Sequence, residues 1–125
     1  MVKTILMADD EEDLRMLLQM TLNDPGYLLL EASDGAVAWE LIQTKRPDLV
    51  ILDWMMPKKN GKEVAHAMKN DPTTKDIPII MLTARHRMED CQQGEELGTY
   101  AYLVKPFSPL QLLEKVQLAL RTPPD

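Results

Sequence analysis

Leu49-Val50-Ile51-Leu52-Asp53 decides the fold: four consecutive apolar residues without polar interruption, closed by an acid. Such a run reads as a strand buried on both faces, as in the middle of a parallel sheet. Beyond Asp53, Pro57 and Asn60-Gly61 predict a loop, and a short helix is expected over residues 62–70.

The same grammar repeats on both sides. Upstream, Ile5-Leu6-Met7-Ala8 is a strand-like run that stops at Asp9-Asp10-Glu11-Glu12-Asp13. Leu14, Leu17, Leu18, Thr21 and Leu22 then recur at helical spacing until Pro25-Gly26, with the acids placed where the helix dipole favours them. Tyr27-Leu28-Leu29-Leu30 predicts a second strand, Ser33-Asp34-Gly35 a loop, and residues 36–44 a helix with Val37, Leu41 and Ile42 inward. Downstream, Ile77-Pro78-Ile79-Ile80-Met81-Leu82 predicts a fourth strand ending on Thr83. A polar helix follows over 86–97, with Met88, Cys91 and Leu97 as a thin apolar stripe and Gly98 as its stop. Residues 100–104 predict a fifth strand, ended by Lys105-Pro106. Ser108 as N-cap, Pro109 and Gln111 form a capping-box signature for a last helix, with Leu110, Leu113, Val116 and Leu120 as its buried face.

Five strands alternating with five helices imply a doubly wound α/β fold, a five-stranded parallel sheet with helices on both faces. At 125 residues the chain is sized for one core; residues 1–121 are read as one domain and Thr122-Pro123-Pro124-Asp125 as a tail or the start of a linker. The net charge of −6 and the absence of a Lys/Arg run weigh against direct nucleic-acid binding. Cys91 is the single cysteine, so no intrachain disulfide forms, and no Cys/His spacing suits zinc. No signal-peptide pattern or membrane-length apolar run is present, and a cytoplasmic location is expected.

Function in an open parallel sheet collects at the carboxyl ends of the strands. Asp9 and Asp10 end the first strand, Asp53 the third, Thr83 the fourth and Lys105 the fifth. Carboxylates this close raise one another's proton affinity unless a cation neutralises them, and oxygen ligands without His or Cys favour magnesium or manganese. A carboxylate beside such a metal can attack a phosphoryl group. Each residue alone has an ordinary explanation: a solvated helix start, a turn aspartate, a helix-capping threonine, a surface lysine. Jointly those explanations are poor.

Asp9-Asp10, Asp53 within Ile-Leu-Asp-Trp-Met-Met-Pro-Lys-Lys-Asn-Gly, Thr83-Ala84, and Tyr102 followed by Lys105-Pro106-Phe107 resemble the receiver domains of bacterial two-component response regulators, of the chemotaxis-regulator kind. The resemblance spans nearly the whole chain. It implies a flavodoxin-like strand order of 2-1-3-4-5 and makes Asp53 the phosphoryl acceptor. Asp10 would bind Mg2+ directly and Asp9 largely through water, with Asp53 and the Met55 backbone carbonyl as further ligands. Thr83 and Lys105 would hold the phosphoryl group, the bond before Pro106 is commonly cis, and Tyr102 would be the aromatic switch. The implied donor is a phosphohistidine on a histidine kinase or histidine phosphotransfer protein. The receiver would catalyse its own phosphorylation and dephosphorylation. The implied output is a surface made by the helix at 86–97, the fifth strand and the last helix, read by a downstream protein or domain. Gly98-Thr99-Tyr100-Ala101-Tyr102 weakens the case for the charged dimer face of the winged-helix DNA-binding subfamily, and Met55 and Arg85 would flank the pocket and slow attack by water.

The competing expectation is a pseudo-receiver that serves as a scaffold without phosphorylation; the complete acidic, hydroxyl and lysine set favours the acceptor. A flavin carrier is disfavoured because Asp9 to Asp13 would repel the flavin phosphate. A haloacid-dehalogenase phosphatase lacks its second acid two residues after Asp53.

Overall fold

The computed structural model describes residues 2–84 and 100–121. Arg85, Cys91, the helix expected over 86–97, Gly98-Thr99 and the tail at 122–125 lie outside the described residues. The chain runs β1 (Lys3–Ala8), α1 (Glu12–Thr21), β2 (Tyr27–Ala32), α2 (Gly35–Lys45), β3 (Leu49–Asp53), α3 (Gly61–Lys69), β4 (Ile79–Ala84), β5 (Ala101–Lys105) and α4 (Pro109–Arg121). All four strand pairings are parallel, in the order β2-β1-β3-β4-β5. The doubly wound architecture and the strand order are as the sequence and its resemblance imply.

Every residue of β3 is buried, as its unbroken apolar run requires. Strand alternation then splits the interior into two cores. Leu6, Val50, Leu52, Ile79 and Met81 face Ala38 and Ile42 of α2 and Val64, Ala65 and Met68 of α3. Ile5, Met7, Leu49, Ile51, Ile80 and Leu82 face Leu18 and Leu22 at α1 and Leu112, Val116 and Ala119 of α4. A residue's side of the sheet is thereby fixed by whether its number is odd or even within its strand.

The helices turn differently from the apolar periodicity at three positions. Leu17, Val37 and Leu110 were expected inward and are exposed. In each case the sheet meets an adjacent stripe: Leu18 and Leu22, Ala38 and Ile42, and Leu112, Val116 and Ala119 are buried. The strands β1, β2 and β5 extend beyond or shift from the expected runs, and β4 begins at Ile79 because Pro78 has no N–H for the ladder. The Pro78 carbonyl nevertheless accepts from the Val50 N–H at 3.1 Å.

Helix starts follow side-chain chemistry. Asp34 caps α2 by accepting from the Val37 N–H, and α4 has the expected capping box, with reciprocal bonds between Ser108 and Gln111 of 3.0 and 3.1 Å. Asn60 and Glu63 form a second capping box at α3. Asn60-Gly61 was expected as loop, but the box carries the helix back to include Gly61. That glycine is sterically required: a Cβ there would lie 2.4 Å from the Asp53 carbonyl oxygen.

Gly61→Ala should therefore cost about 2–3 kcal/mol, as other clashes with fixed backbone do. Leu112→Ala should cost about 3 kcal/mol, while Leu110→Ala should stay within about 0.5 kcal/mol. Urea unfolding of the variants checks all three; equal costs for the two leucines would contradict the observed rotation of α4.

Candidate phosphoacceptor site

Register brings the acidic residues together. Ala8 pairs with Leu52, so Asp9 and Asp53 continue side by side from the ends of β1 and β3. The Asp9 N–H still bonds the Ala32 carbonyl at 3.1 Å, and the Trp54 N–H bonds the Leu82 carbonyl at 2.8 Å. Both carboxylates thus project from backbone that is held by the sheet beyond the last paired residue. Asp9, Asp53 and Lys105 share one alternation face with Met7, Ile51 and Leu103. Lys105 lies beyond the level of the acids, and its long side chain reaches back to them.

The Lys105 ammonium sits 3.2 Å from Asp9 Oδ2 and 3.2 Å from Asp53 Oδ1, with Glu11 Oε1 at 3.8 Å. Asp9 is fully buried and Asp53 nearly so, while Asp10 is exposed. Asp9 Oδ1 also accepts from the Glu11 N–H at 2.8 Å. One ammonium does not neutralise this group. Burial raises the Asp53 carboxyl to about 6, the neighbouring Asp9 charge adds to the rise, and Lys105 opposes both. Burial likewise raises Asp9, against the Glu11 N–H and Lys105. Burial would lower the Lys105 ammonium, but the paired carboxylates outweigh it and the group is held above its ordinary value.

The oxygens of Asp9, Asp10 and Asp53 lie within 4.8 Å of one another. Two oxygens on one magnesium ion can be at most about 4.2 Å apart, so a small closure would let all three share an ion. The donors are oxygen alone, which suits magnesium or manganese rather than zinc. The fit is therefore good.

Thr83 is buried on β4, paired with Val104 and one residue past Leu82, the partner of Asp53. Tyr102 pairs with Met81, so Thr83 and Tyr102 are diagonal neighbours on the α2/α3 face of the sheet. The Tyr102 ring packs against that core with its hydroxyl shielded from solvent. Met55 is half exposed two residues past Asp53, and its N–H points at Asp53 Oδ1 at 3.4 Å. The Lys105–Pro106 peptide is cis.

Three contacts around the site had not been read from the sequence. Glu11 joins Lys105, as above. Lys58, with a left-handed φ of 68°, reaches Asp34 Oδ2 at 3.6 Å and links the loop after Asp53 to the start of α2. Arg15 bonds the Asp9 carbonyl and Glu31. Glu31 interrupts the apolar run of β2 and Arg15 is the first cation after five acids, but spacing alone does not pair residues from different elements.

Residues 5–117 match the response regulator receiver domain family. The chain is 44% identical over 119 residues to the phosphate regulon transcriptional regulatory protein PhoB of Pseudomonas aeruginosa, covering 95% of this chain and 52% of that protein. It is 42% identical over 121 residues to the alkaline phosphatase synthesis transcriptional regulatory protein PhoP of Bacillus subtilis, covering 97% of this chain and 50% of that one. The chain thus spans about half the length of these relatives. Among solved structures, the chemotaxis response regulator CheY4 of Vibrio cholerae superimposes with a TM-score of 0.88 at 36% identity, covering 96% of this chain and all of that one. The receiver domain of sensor histidine kinase PA1611 from Pseudomonas aeruginosa, a structure with a magnesium ion in its active-site cleft, shares the fold at a TM-score of 0.87 and 24% identity, over 98% of this chain and 100% of that one. No helix among the described residues is long and apolar enough to cross a membrane.

A family match over most of the length, a relative at 44% identity and a five-stranded sheet in the order 2-1-3-4-5 place this chain in the response regulator receiver domain family of two-component systems.

Proposed function

We propose that the chain accepts a phosphoryl group on Asp53 from a phosphohistidine of a histidine kinase or phosphotransfer protein, in a magnesium-dependent reaction, and thereby changes the surface it offers to an output partner. The observation that carries this reading is the Lys105 ammonium held 3.2 Å from both Asp9 and Asp53 at the sheet's carboxyl edge. Manganese would suit the same oxygens.

In this reading Asp53 is the nucleophile. Its carboxylate oxygen forms a bond to phosphorus as the bond from phosphorus to the donor's imidazole nitrogen breaks, and the imidazole leaves with the electron pair. Asp10, Asp53 and the Met55 carbonyl, with Asp9 largely through water, would hold magnesium, which when bound would supply charge compensation for the acids and the phosphoryl oxygens. Lys105 keeps the acids in place and pairs with a phosphoryl oxygen once transfer is complete. Thr83 donates its hydroxyl to another. Because Thr83 and Tyr102 are diagonal neighbours, a shift of Thr83 towards the phosphoryl group alters the packing beside Tyr102 and reaches the surface of β5 and α4.

The chain's own catalysis is positioning and charge stabilisation, and the same residues serve the hydrolysis that resets it. The scaffold alternative has no particular observation in its favour. A cytoplasmic location accords with a cytoplasmic phosphodonor.

Incubation with magnesium and acetyl phosphate, followed by intact mass measurement, should show the gain of one phosphate; Asp53→Ala should abolish it. No gain with acetyl phosphate or any phosphohistidine donor would sink the acceptor reading.

The charge arrangement also sets a pH dependence. Asp53 keeps its proton up to about pH 6 in the folded chain, whereas an unfolded carboxyl loses it near about pH 4. Between these values the folded chain binds more protons, so stability falls as pH rises through the window. Asp34 and Asp71, held low by backbone N–H donors at Val37 and Thr73, change their contribution below it. Without metal, the stability gained on Asp53→Asn should be larger at about pH 7.5 than at about pH 5. Magnesium, which needs the ionised carboxylate, should raise the wild-type melting temperature at the higher pH and have little effect at the lower. Thermal melts of both chains at both pH values, with and without magnesium, measure this.

Met55 lies at the mouth of the site, and its bulk shields Asp53 from water. Met55→Asn should speed loss of the phosphoryl group several-fold, by about 1 kcal/mol of barrier. An unchanged dephosphorylation time course would remove Met55 from this role. Arg85, expected to act alongside it, lies outside the described residues.

A further inference from the structure

We propose that Arg15 is a positioning residue for the divalent cation: its guanidinium, braced by Glu31, fixes the plane of the Asp9–Asp10 peptide and so aims both carboxylates into the site. The proposal rests on the metal-dependent acceptor reading above and adds to it a residue outside the set of ligands.

Arg15 Nη1 donates to the Asp9 carbonyl oxygen at 2.6 Å, and Nε donates to Glu31 Oε1 at 3.3 Å. The Arg15 side chain is only 17% exposed. The Gln19 amide donates to the other Glu31 oxygen, so the brace has a support of its own on α1. These contacts join three elements: Glu31 lies one residue before the end of β2, opposite Met7 of β1, Arg15 and Gln19 lie on α1, and Asp9 follows β1.

The carbonyl in question belongs to the peptide that links Asp9 to Asp10. With the Asp9 N–H on the Ala32 carbonyl and the Asp9 carbonyl on Arg15, the backbone of Asp9 is held at both ends. The peptide plane between the two acids cannot then flip without losing a charge-assisted bond. Asp10 depends on this most, because its carboxylate is exposed while that of Asp9 is pinned by Glu11 and Lys105. The start of α1 offers no substitute, since Glu11 at its N-cap makes no side-chain capping bond. A guanidinium is needed because one planar group must meet a carbonyl and a carboxylate at once; a lysine ammonium on a flexible stem holds such a pair less firmly.

The test is titration calorimetry with magnesium chloride near neutral pH, run beside urea unfolding without metal. Arg15→Met should weaken magnesium binding about tenfold, the scale seen when supports behind metal ligands are removed. Arg15→Lys should recover part of the loss, and Glu31→Gln should weaken binding about two- to threefold because the Asp9 carbonyl keeps its donor. A purely structural role would lower the urea midpoint and leave magnesium affinity of the folded chain unchanged. Folded Arg15→Met with wild-type affinity overturns the proposal. If that variant does not fold, wild-type affinity in Arg15→Lys and Glu31→Gln together does so. A wild-type chain that binds magnesium yet gains no phosphate from acetyl phosphate or any phosphohistidine donor overturns the acceptor reading alone, since the brace is read from the metal titration. A wild-type chain that binds no magnesium overturns both.

Discussion

Burying two carboxylates side by side is the constraint around which the rest of this chain is arranged. Asp9 and Asp53 are brought together by the register of β1 and β3, where the sheet allows little adjustment. Their repulsion is met from one side by Lys105, which reaches both, and from the backbone by the Glu11 N–H on Asp9. Lone buried charges are costly, and half-compensated acidic groups hold energy that a bound cation can release. The same repulsion that destabilises this edge thus favours a cation there.

The sheet makes this tolerable by surrounding the acids with rigid neighbours. β3 is buried along its length, and two separate cores hold it from both faces. Alternation sorts the chemistry: Asp9, Asp53 and Lys105 follow the face of α1 and α4, whereas Thr83 and Tyr102 follow the face of α2 and α3. The charged cluster and the Thr83–Tyr102 pair therefore lie on opposite sides of one sheet, with β4 between them.

Much of this was legible in the sequence because a strand's end and a strand's parity are local properties. The run Leu49-Val50-Ile51-Leu52 announces a central strand, and the residue after each apolar run marks the functional edge. The buried helix faces were less legible. Leu17, Val37 and Leu110 fit the helical period as well as their buried neighbours do, and only the position of the sheet selects between adjacent stripes. Arg15, Glu31, Lys58 and Gly61 matter through contacts between different elements or across a loop, and helical or strand spacing does not reveal those. Gly61 in particular looks like a turn residue until the carbonyl of Asp53 is seen against it.

The loop after Asp53 is bounded by a second close approach as well. The Gly35 N–H bonds the Pro57 carbonyl at 3.3 Å, and a Cβ on Gly35 would fall 1.6 Å from the Lys59 carbonyl oxygen. With Gly61 set against Asp53, the segment is wedged at both ends by residues without side chains. Its length is consequently fixed in a way that surface loops usually are not. Anyone splicing a reporter, tag or permuted terminus into this chain would find no room here, and would do better at the exposed turn around Pro72 and Thr73, which leads into the start of β4 at the edge opposite Asp53.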